Sequence, residues 1–396
     1  MLLKSLVKSI AFTISLLFLC APIRAEQAPL EIGVIVPLSG PLAEFGYAIK
    51  NGIELAQETT AAQASRVRFL FEDSQYRAQA TLSAYRHLRN TRSVKVVFVF
   101  GSLPSAALAP IAEAEHVALF ALDTEPATAA GRKFVVRFIS RPEHFGRVLT
   151  DHLAQRGFKR IGIVLTENQY LRSMVQGLQD SLQPGQTLEV VTTVTPEETD
   201  FRTAVSRIRA GEYDAVGVLV LSGQIALLYR QLENQKVSFP TFGSDCFEST
   251  TEIESARGLM QNAVFANTAV SVEFRREYLT RYKNDLQINY AGLARDFAVL
   301  IADRIVGTAL EGTSAEIINE LARPEPVQGV TGMFQFEEND AGDRFFKFPV
   351  VLRQVNGVQA RNYSPGAIPD NQMAQQDGES LSDRARLNLP RTGEGR

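Results

Sequence analysis

The chain has 396 residues, a formal net charge of −3, four histidines, two cysteines and no tryptophan. Mild acidity without a basic stripe of interleaved aromatics excludes nucleic acid as a partner, and the absence of tryptophan excludes a sugar platform of stacked indoles. A chain of this length is expected to form two domains.

Residues 1–25 carry Lys4 and Lys8, an apolar core over 10–20 and a cleavage site at Ile23-Arg24-Ala25. This is the pattern of a secretory signal peptide, because the apolar core is too short to span a bilayer. Leu19 is bulky where a lipoprotein signal needs a small residue, so lipid attachment at Cys20 is not expected. Cleavage removes three basic residues, takes the formal charge to −6 and leaves Cys246 as the sole cysteine. With no internal disulfide, an exported chain depends on its core for stability.

Strands are predicted over 30–36, 67–72, 94–100, 117–122 and 134–139, alternating with helices over 43–59, 79–89 and 106–115. The alternation restarts with strands over 160–166, 188–194, 215–221, 239–243 and 259–265, and helices over 144–155, 169–182, 201–210 and 224–234. Two such sets imply an α/β chain with two parallel sheets, each covered by helices on both faces. The last third departs from the rhythm, with helices over 271–283, 293–310 and 315–321, a turn at Gly329-Val330-Thr331-Gly332, and a final strand over 346–355. Beyond Tyr363 the apolar content collapses, and residues 364–396 are expected to be a disordered tail.

The stretch from Val94 to Thr128 is the most informative. An apolar strand breaks at Gly101-Ser102-Leu103-Pro104-Ser105, and the next one ends at Asp123-Thr124-Glu125-Pro126. Ligands of open α/β sheets bind beyond the carboxyl ends of strands, where the loops of Ser102/Ser105 and Thr124 belong. Ser105 near a helix start suits an anion such as a carboxylate. Ordinary cap and turn residues are the alternative account.

Catalytic patterns are absent. The Gly101–Ser105 run lacks the glycine spacing and lysine of a phosphate loop and the flanking glycines of a nucleophile elbow. His87, His116, His144 and His152 are scattered, and His144 and His152 read as solvated helix residues. No metal site at ligand spacing, no acid/base carboxylate pair and no cofactor are expected.

Five segments in order resemble the type I periplasmic binding proteins, in particular the leucine/isoleucine/valine-binding family. They are Ile32-Gly33-Val34-Ile35-Val36-Pro37-Leu38-Ser39-Gly40-Pro41 with Phe45-Gly46, Gly101–Ser105 before an alanine-rich helix containing Pro110, Thr124-Glu125-Pro126, Tyr170 after its strand, and Gly329-Val330-Thr331-Gly332 with Gly342-Asp343. The resemblance implies two Rossmann-like lobes with parallel central sheets joined by three hinge crossovers, near Ser140, Asn267 and Phe348. Lobe 1 would be 30–140 plus 268–346, and lobe 2 would be 141–267 plus 347–363.

It further implies a periplasmic, monomeric, non-enzymatic solute-binding component of an ABC importer. Such a protein closes on an amino acid or related carboxylate in an interlobe cleft and docks on an inner-membrane ABC permease. By the same resemblance, Ser105, Thr124 and the backbone at Leu122 would hold a carboxylate, and the Leu103 carbonyl and Asp245 an ammonium. Phe45 would touch the ligand side chain and Tyr170 would close over it. Asp245 also reads as a turn residue after a strand. A ligand-binding module that reports to a signalling partner is the alternative function.

Overall fold

The structure is a computed structural model that describes residues 29–59, 66–305, 312–357 and 359–363. The expected signal peptide (1–25) and tail (364–396) lie outside the described residues. Those that are described form two compact units. The first holds the residues up to Thr150, Glu167–Gln183 and Thr268–Val350; the second holds Asp151–Thr166, Pro184–Asn267 and the residues from Val351 onward.

The first unit is built on β1 (Leu30–Val36), α1 (Ala43–Thr59), β2 (Val67–Asp73), α2 (Ala78–Arg92), β3 (Val96–Phe100), α3 (Ser102–Ala114), β4 (Ala118–Leu122) and β5 (Val135–Arg137), and α4 (Pro142–Gln155) begins in it. The second unit contributes β6 (Arg160–Thr166), β7 (Thr187–Val194), α6 (Arg202–Ala210), β8 (Ala215–Leu219), α7 (Ile225–Asn234), β9 (Thr241–Gly243), α8 (Thr250–Ser255) and β10 (Val264–Thr268), whereas α5 (Gln169–Gln179) groups with the first unit. The chain then returns as α9 (Val272–Tyr282), α10 (Ile288–Ile305), α11 (Ser314–Leu321), β11 (Val327–Gly329), β12 (Gly332–Glu338) and β13 (Arg344–Lys347), and ends in β14 (Val350–Asn356) and β15 (Gln359–Asn362).

One sheet has the order β11-β12-β13-β5-β4-β3-β1-β2 and the other β15-β14-β10-β9-β8-β6-β7. The chain thus passes from sheet to sheet three times, after β5, β10 and β13. This is the two-sheet α/β architecture that the alternation of elements implies, with the Rossmann-like lobes that the resemblance implies. The sheets are not wholly parallel, however. The pairs β11–β12, β12–β13 and β14–β15 are antiparallel, because tight connections such as Val330-Thr331 join neighbours that only an antiparallel ladder accepts.

Several boundaries differ from the sequence reading, among them the start of the helix expected at residue 293, which lies at Ile288, and three more have clear causes. The helix expected to begin at residue 106 starts at Ser102, since Gly101 makes the turn and proline is tolerated in a first helical turn. The strand expected over 346–355 is two strands of different sheets, broken at Phe348-Pro349. The strand expected over 259–265 is β10, which starts only at Val264 after a run of turns.

The inner strands are apolar runs buried on both faces: every residue of β3 and β4 is buried, as expected where helices cover a sheet on both sides. Phe297 of α10 sits in the middle of a ring cluster, with centroids 4.6 Å from Phe98, 5.3 Å from Phe120 and 5.4 Å from Phe138. Asp296, one residue earlier, accepts hydrogen bonds from Val330 N (2.8 Å), Thr331 N (3.0 Å) and Thr331 Oγ1 (2.5 Å). A Cβ on Gly329 would lie 2.1 Å from Asp296 Oδ2, so the Gly329–Gly332 motif is glycine-led in order to let this carboxylate in.

Arg137, at the end of β5, is wholly buried. Its Nε and Nη2 donate to Asp343 Oδ1 and Oδ2 at 3.0 and 2.6 Å. The Ser140 hydroxyl joins two crossover segments by donating to the Phe348 carbonyl (3.0 Å) and accepting from Phe348 N (2.8 Å). His144 and His152 are not solvated as expected. His144 packs on Phe345 with ring centroids 6.0 Å apart, and burial first, then Lys347, pulls its pKa from 6.5 to about 4.

Two measurements test this core. Asp343→Ala strands a buried guanidinium and should cost about 3–5 kcal/mol in chemical denaturation; a loss under about 1 kcal/mol would show that the pair is dispensable. For His144, the unfolded chain binds the proton more readily between pH 6.5 and about 4. Stability should therefore fall as pH drops through that window, and His144→Gln should flatten the slope.

Candidate functional site

The carboxyl ends of β3 and β4 are adjacent, with Phe100 opposite Leu122. Gly101 links them by donating its N–H to the Leu122 carbonyl at 3.1 Å. Its φ of +95°, and a Cβ position only 2.2 Å from the Tyr76 ring, leave glycine as the one residue that fits. Helix α3 starts at once, which brings Ser102 and Ser105 into its first turn at this edge.

Asp123 follows β4 and is buried. It accepts from Ser102 Oγ and Thr128 Oγ1, both at 2.5 Å, and from Glu125 N at 3.0 Å. Burial pushes its pKa above the ordinary 3.8, against the pull of the Ser102 and Thr128 hydroxyls. The remaining donor of Arg137, Nη1, reaches the carbonyls of Asp123 (3.3 Å) and Thr124 (3.2 Å). The backbone that presents Thr124 is thus held from below by the same guanidinium that pairs with Asp343.

Ser105 is 0% exposed, and its hydroxyl has no hydrogen-bond partner. A buried hydroxyl left unpaired costs free energy, and Ser105 carries that cost in the first turn of α3. Thr124 Oγ1 lies 3.1 Å from Ser173 Oγ. The Ser173 hydroxyl proton is directed to the Tyr170 carbonyl at 2.7 Å, so Thr124 is the donor of that pair.

Of the other expected residues, Leu103 is half-exposed on the first turn of α3, and Leu122 is buried with its carbonyl bonded to Gly101. Phe45 is buried, stacked on Phe100 at 5.3 Å and edge-on to Tyr290 at 5.2 Å. Tyr170 is half-buried in the first turn of α5, which is capped by Asn168. These six lie in the first unit. Asp245 belongs to the second, at the carboxyl end of β9, where it opens a short 3₁₀ turn capped by Ser244 and is 6% exposed. Burial, then the Asp245 charge, pushes the adjacent Cys246 thiol up to about 12.

Sequence reasoning missed Arg137, Asp123 and Ser173. A lone arginine within the apolar run 134–139 was the available signal for Arg137, because charge in a buried strand must be paired. Ser173 gave none. Among the described residues no group of three or more His, Cys, Asp or Glu is placed to hold a metal ion, and no helix is long and apolar enough to cross a membrane.

A sequence profile of the periplasmic binding protein family matches residues 29–359. The chain belongs to this family. It is a type I periplasmic binding protein of the leucine/isoleucine/valine-binding kind. It is 24% identical over 273 residues to the Leu/Ile/Val-binding protein homolog 3 of Brucella melitensis, covering 66% of this chain and 72% of that one.

Its fold matches the crystal structure of the branched-chain amino acid transporter substrate-binding protein LivJ from Streptococcus pneumoniae in complex with isoleucine, with a TM-score of 0.72, 20% identity and coverage of 85% of this chain and 99% of that one. It also matches an ABC transporter solute-binding protein from R. palustris in complex with benzoate, with a TM-score of 0.71, 18% identity and coverage of 85% and 96%. The relatives of this periplasmic binding protein are solute-binding proteins rather than enzymes.

The hydrogen bonds at this edge separate a hydroxyl with an internal partner from one without. Ser102→Ala leaves the buried Asp123 carboxyl short of a donor and should lower unfolding free energy by about 1–3 kcal/mol. Ser105→Ala removes no internal bond and should stay within about 0.5 kcal/mol of the parent. Denaturant titration of both variants checks the order; equal losses would refute it.

Proposed function

We propose that the chain is the solute-capturing component of an ABC importer. It takes a small carboxylate, an amino acid or a related acid, at the carboxyl edge of the first sheet, and in the loaded state it docks on an inner-membrane ABC permease. The observation that carries this reading is the buried, partnerless hydroxyl of Ser105 in the first turn of α3. In our reading Ser105 and Thr124 donate to the carboxylate and helix α3 favours its negative charge. To do so, Thr124 turns its proton from Ser173 to the ligand. Leu122 supplies backbone, Phe45 and Tyr170 apolar contact, and the Leu103 carbonyl with Asp245 would receive an ammonium where the ligand has one. Bending at the three crossovers gives capture and release, as in hinge-closing binding proteins.

Isoleucine and benzoate, the ligands of the two solved structures, share a carboxylate, and only isoleucine adds an ammonium. Ser105 and Thr124 would therefore serve both kinds of ligand and Asp245 only the first, and a ligand screen separates the two halves. Amino acids, aromatic acids, short carboxylates and amides are tested by thermal shift, where a ligand at a hundredfold its dissociation constant adds about 2.7 kcal/mol. Ser105→Ala should weaken every carboxylate hit by about 1.5–3 kcal/mol, the range of a hydrogen bond to a charged group. Asp245→Ala should weaken only ammonium-bearing hits, by about 2–5 kcal/mol. Hits confined to acids without an ammonium would remove the role of Asp245, and hits indifferent to Ser105→Ala would remove the site.

A further inference from the structure

The second unit holds a cavity of about 640 Å³, within the range of about 300–1,000 Å³ common to small-molecule sites. It lies at the opposite edge of the second sheet from Asp245. Its walls include Thr241 and Val264, where β9 and β10 begin, and the residues that follow the carboxyl ends of α4 and α7. Nothing in the proposed capture of solute uses this edge.

The chemistry of the lining is specific. Arg156 lies just past the end of α4, where the helix dipole favours a cation. Its guanidinium sits over the Phe158 ring at 5.9 Å and forms no ion pair among the described residues. His152, one turn earlier, meets the Tyr363 ring edge-on at 4.8 Å; burial, then Arg156, holds its pKa below the usual 6.5, so it faces the cavity as a neutral ring. Phe239 adds a further aromatic wall, and Gln354 an amide. Glu233 is the one acidic residue among those that line the space.

We propose that this cavity is a second binding site, independent of the solute site, for a flat aromatic anion whose charged group pairs with Arg156 and whose ring lies among Phe158, His152 and Tyr363. A guanidinium already stacked on a ring is pre-oriented for an oxyanion, the facing aromatic groups favour a planar body, and a neutral imidazole can donate or accept one hydrogen bond at the rim.

Naphthalene-2-sulfonate is the probe, titrated calorimetrically into the purified protein. One molecule per chain should bind. Arg156→Gln should weaken it at least about tenfold, the order of a lost charge-assisted hydrogen bond, and Tyr363→Ala should weaken it as well. Arg156 is exposed, so its variant should fold, and its thermal melt confirms this. Both variants should keep the parent affinity for any carboxylate found by the screen, and Ser105→Ala should keep the parent affinity for the sulfonate. No saturable binding at millimolar probe, affinity untouched by Arg156→Gln and Tyr363→Ala, or loss of binding in Ser105→Ala would each overturn the inference. The last outcome would place the sulfonate in the solute site, whereas failure of the solute reading alone would leave the cavity result standing.

Discussion

The carboxyl edge of the first sheet hangs on one buried guanidinium. Arg137 is wholly enclosed, and a charge removed from water is tolerable only when every donor finds an acceptor. Two of its nitrogens go to Asp343 and the third to the carbonyls of Asp123 and Thr124. Asp343 arrives from a segment some two hundred residues later in the chain, just before β13. Satisfying one charge therefore fixes three things together: the seating of the late β12–β13 pair against β5, the path of the chain after β4, and the position of Thr124. The second unit uses a similar device at the end of its sheet. Arg353 of β14 is 2% exposed and donates to Glu248 at 2.5 Å, while Asn267 Nδ2 donates to the other oxygen of that carboxylate at 3.3 Å.

Beside the hydroxyls paired around Asp123, the Ser105 hydroxyl stands out, because it is buried at the same edge and has no partner. Ser102, Thr128 and the Glu125 amide all spend their donors on Asp123, and Ser173 spends its own on Tyr170. Proteins rarely bury a hydroxyl with nothing to bond. Under the proposed function there is a reason to do so, because free energy withheld from the empty state would be available when a ligand arrives. The neighbouring Thr124 is bonded, but only to another hydroxyl; in the proposed capture of a carboxylate it would exchange that partner for a charged acceptor with net gain.

The alternation of strands and helices was legible because buried parallel strands must be apolar runs, and the runs at 94–100 and 117–122 could hardly be anything else. Ser105 and Thr124 were legible as candidates because hydroxyls after such strands fall at the carboxyl edge. What the pattern hid were boundaries set by single residues. Ser102 joins a helix because Gly101 can take φ of +95° beneath the Tyr76 ring, and the run 346–355 splits because Pro349 lacks the N–H that an unbroken strand would use. The antiparallel pairs were hidden too, since β11 and β15 are short strands without a hydrophobic period of their own.

The sequence by itself determined the class of fold, the two sets of strands and the membership of the chain in a family of binding proteins, because these follow from local periodicity and from short motifs whose order is preserved along the chain. Only the tertiary structure decided which hydroxyls are spent and which is left over. Ser102 and Ser105 are three residues apart on one helical turn and look equivalent as letters. One points at Asp123 and the other meets no partner, and that difference depends on where β4 and the Arg137–Asp343 pair place their atoms, which no local pattern encodes.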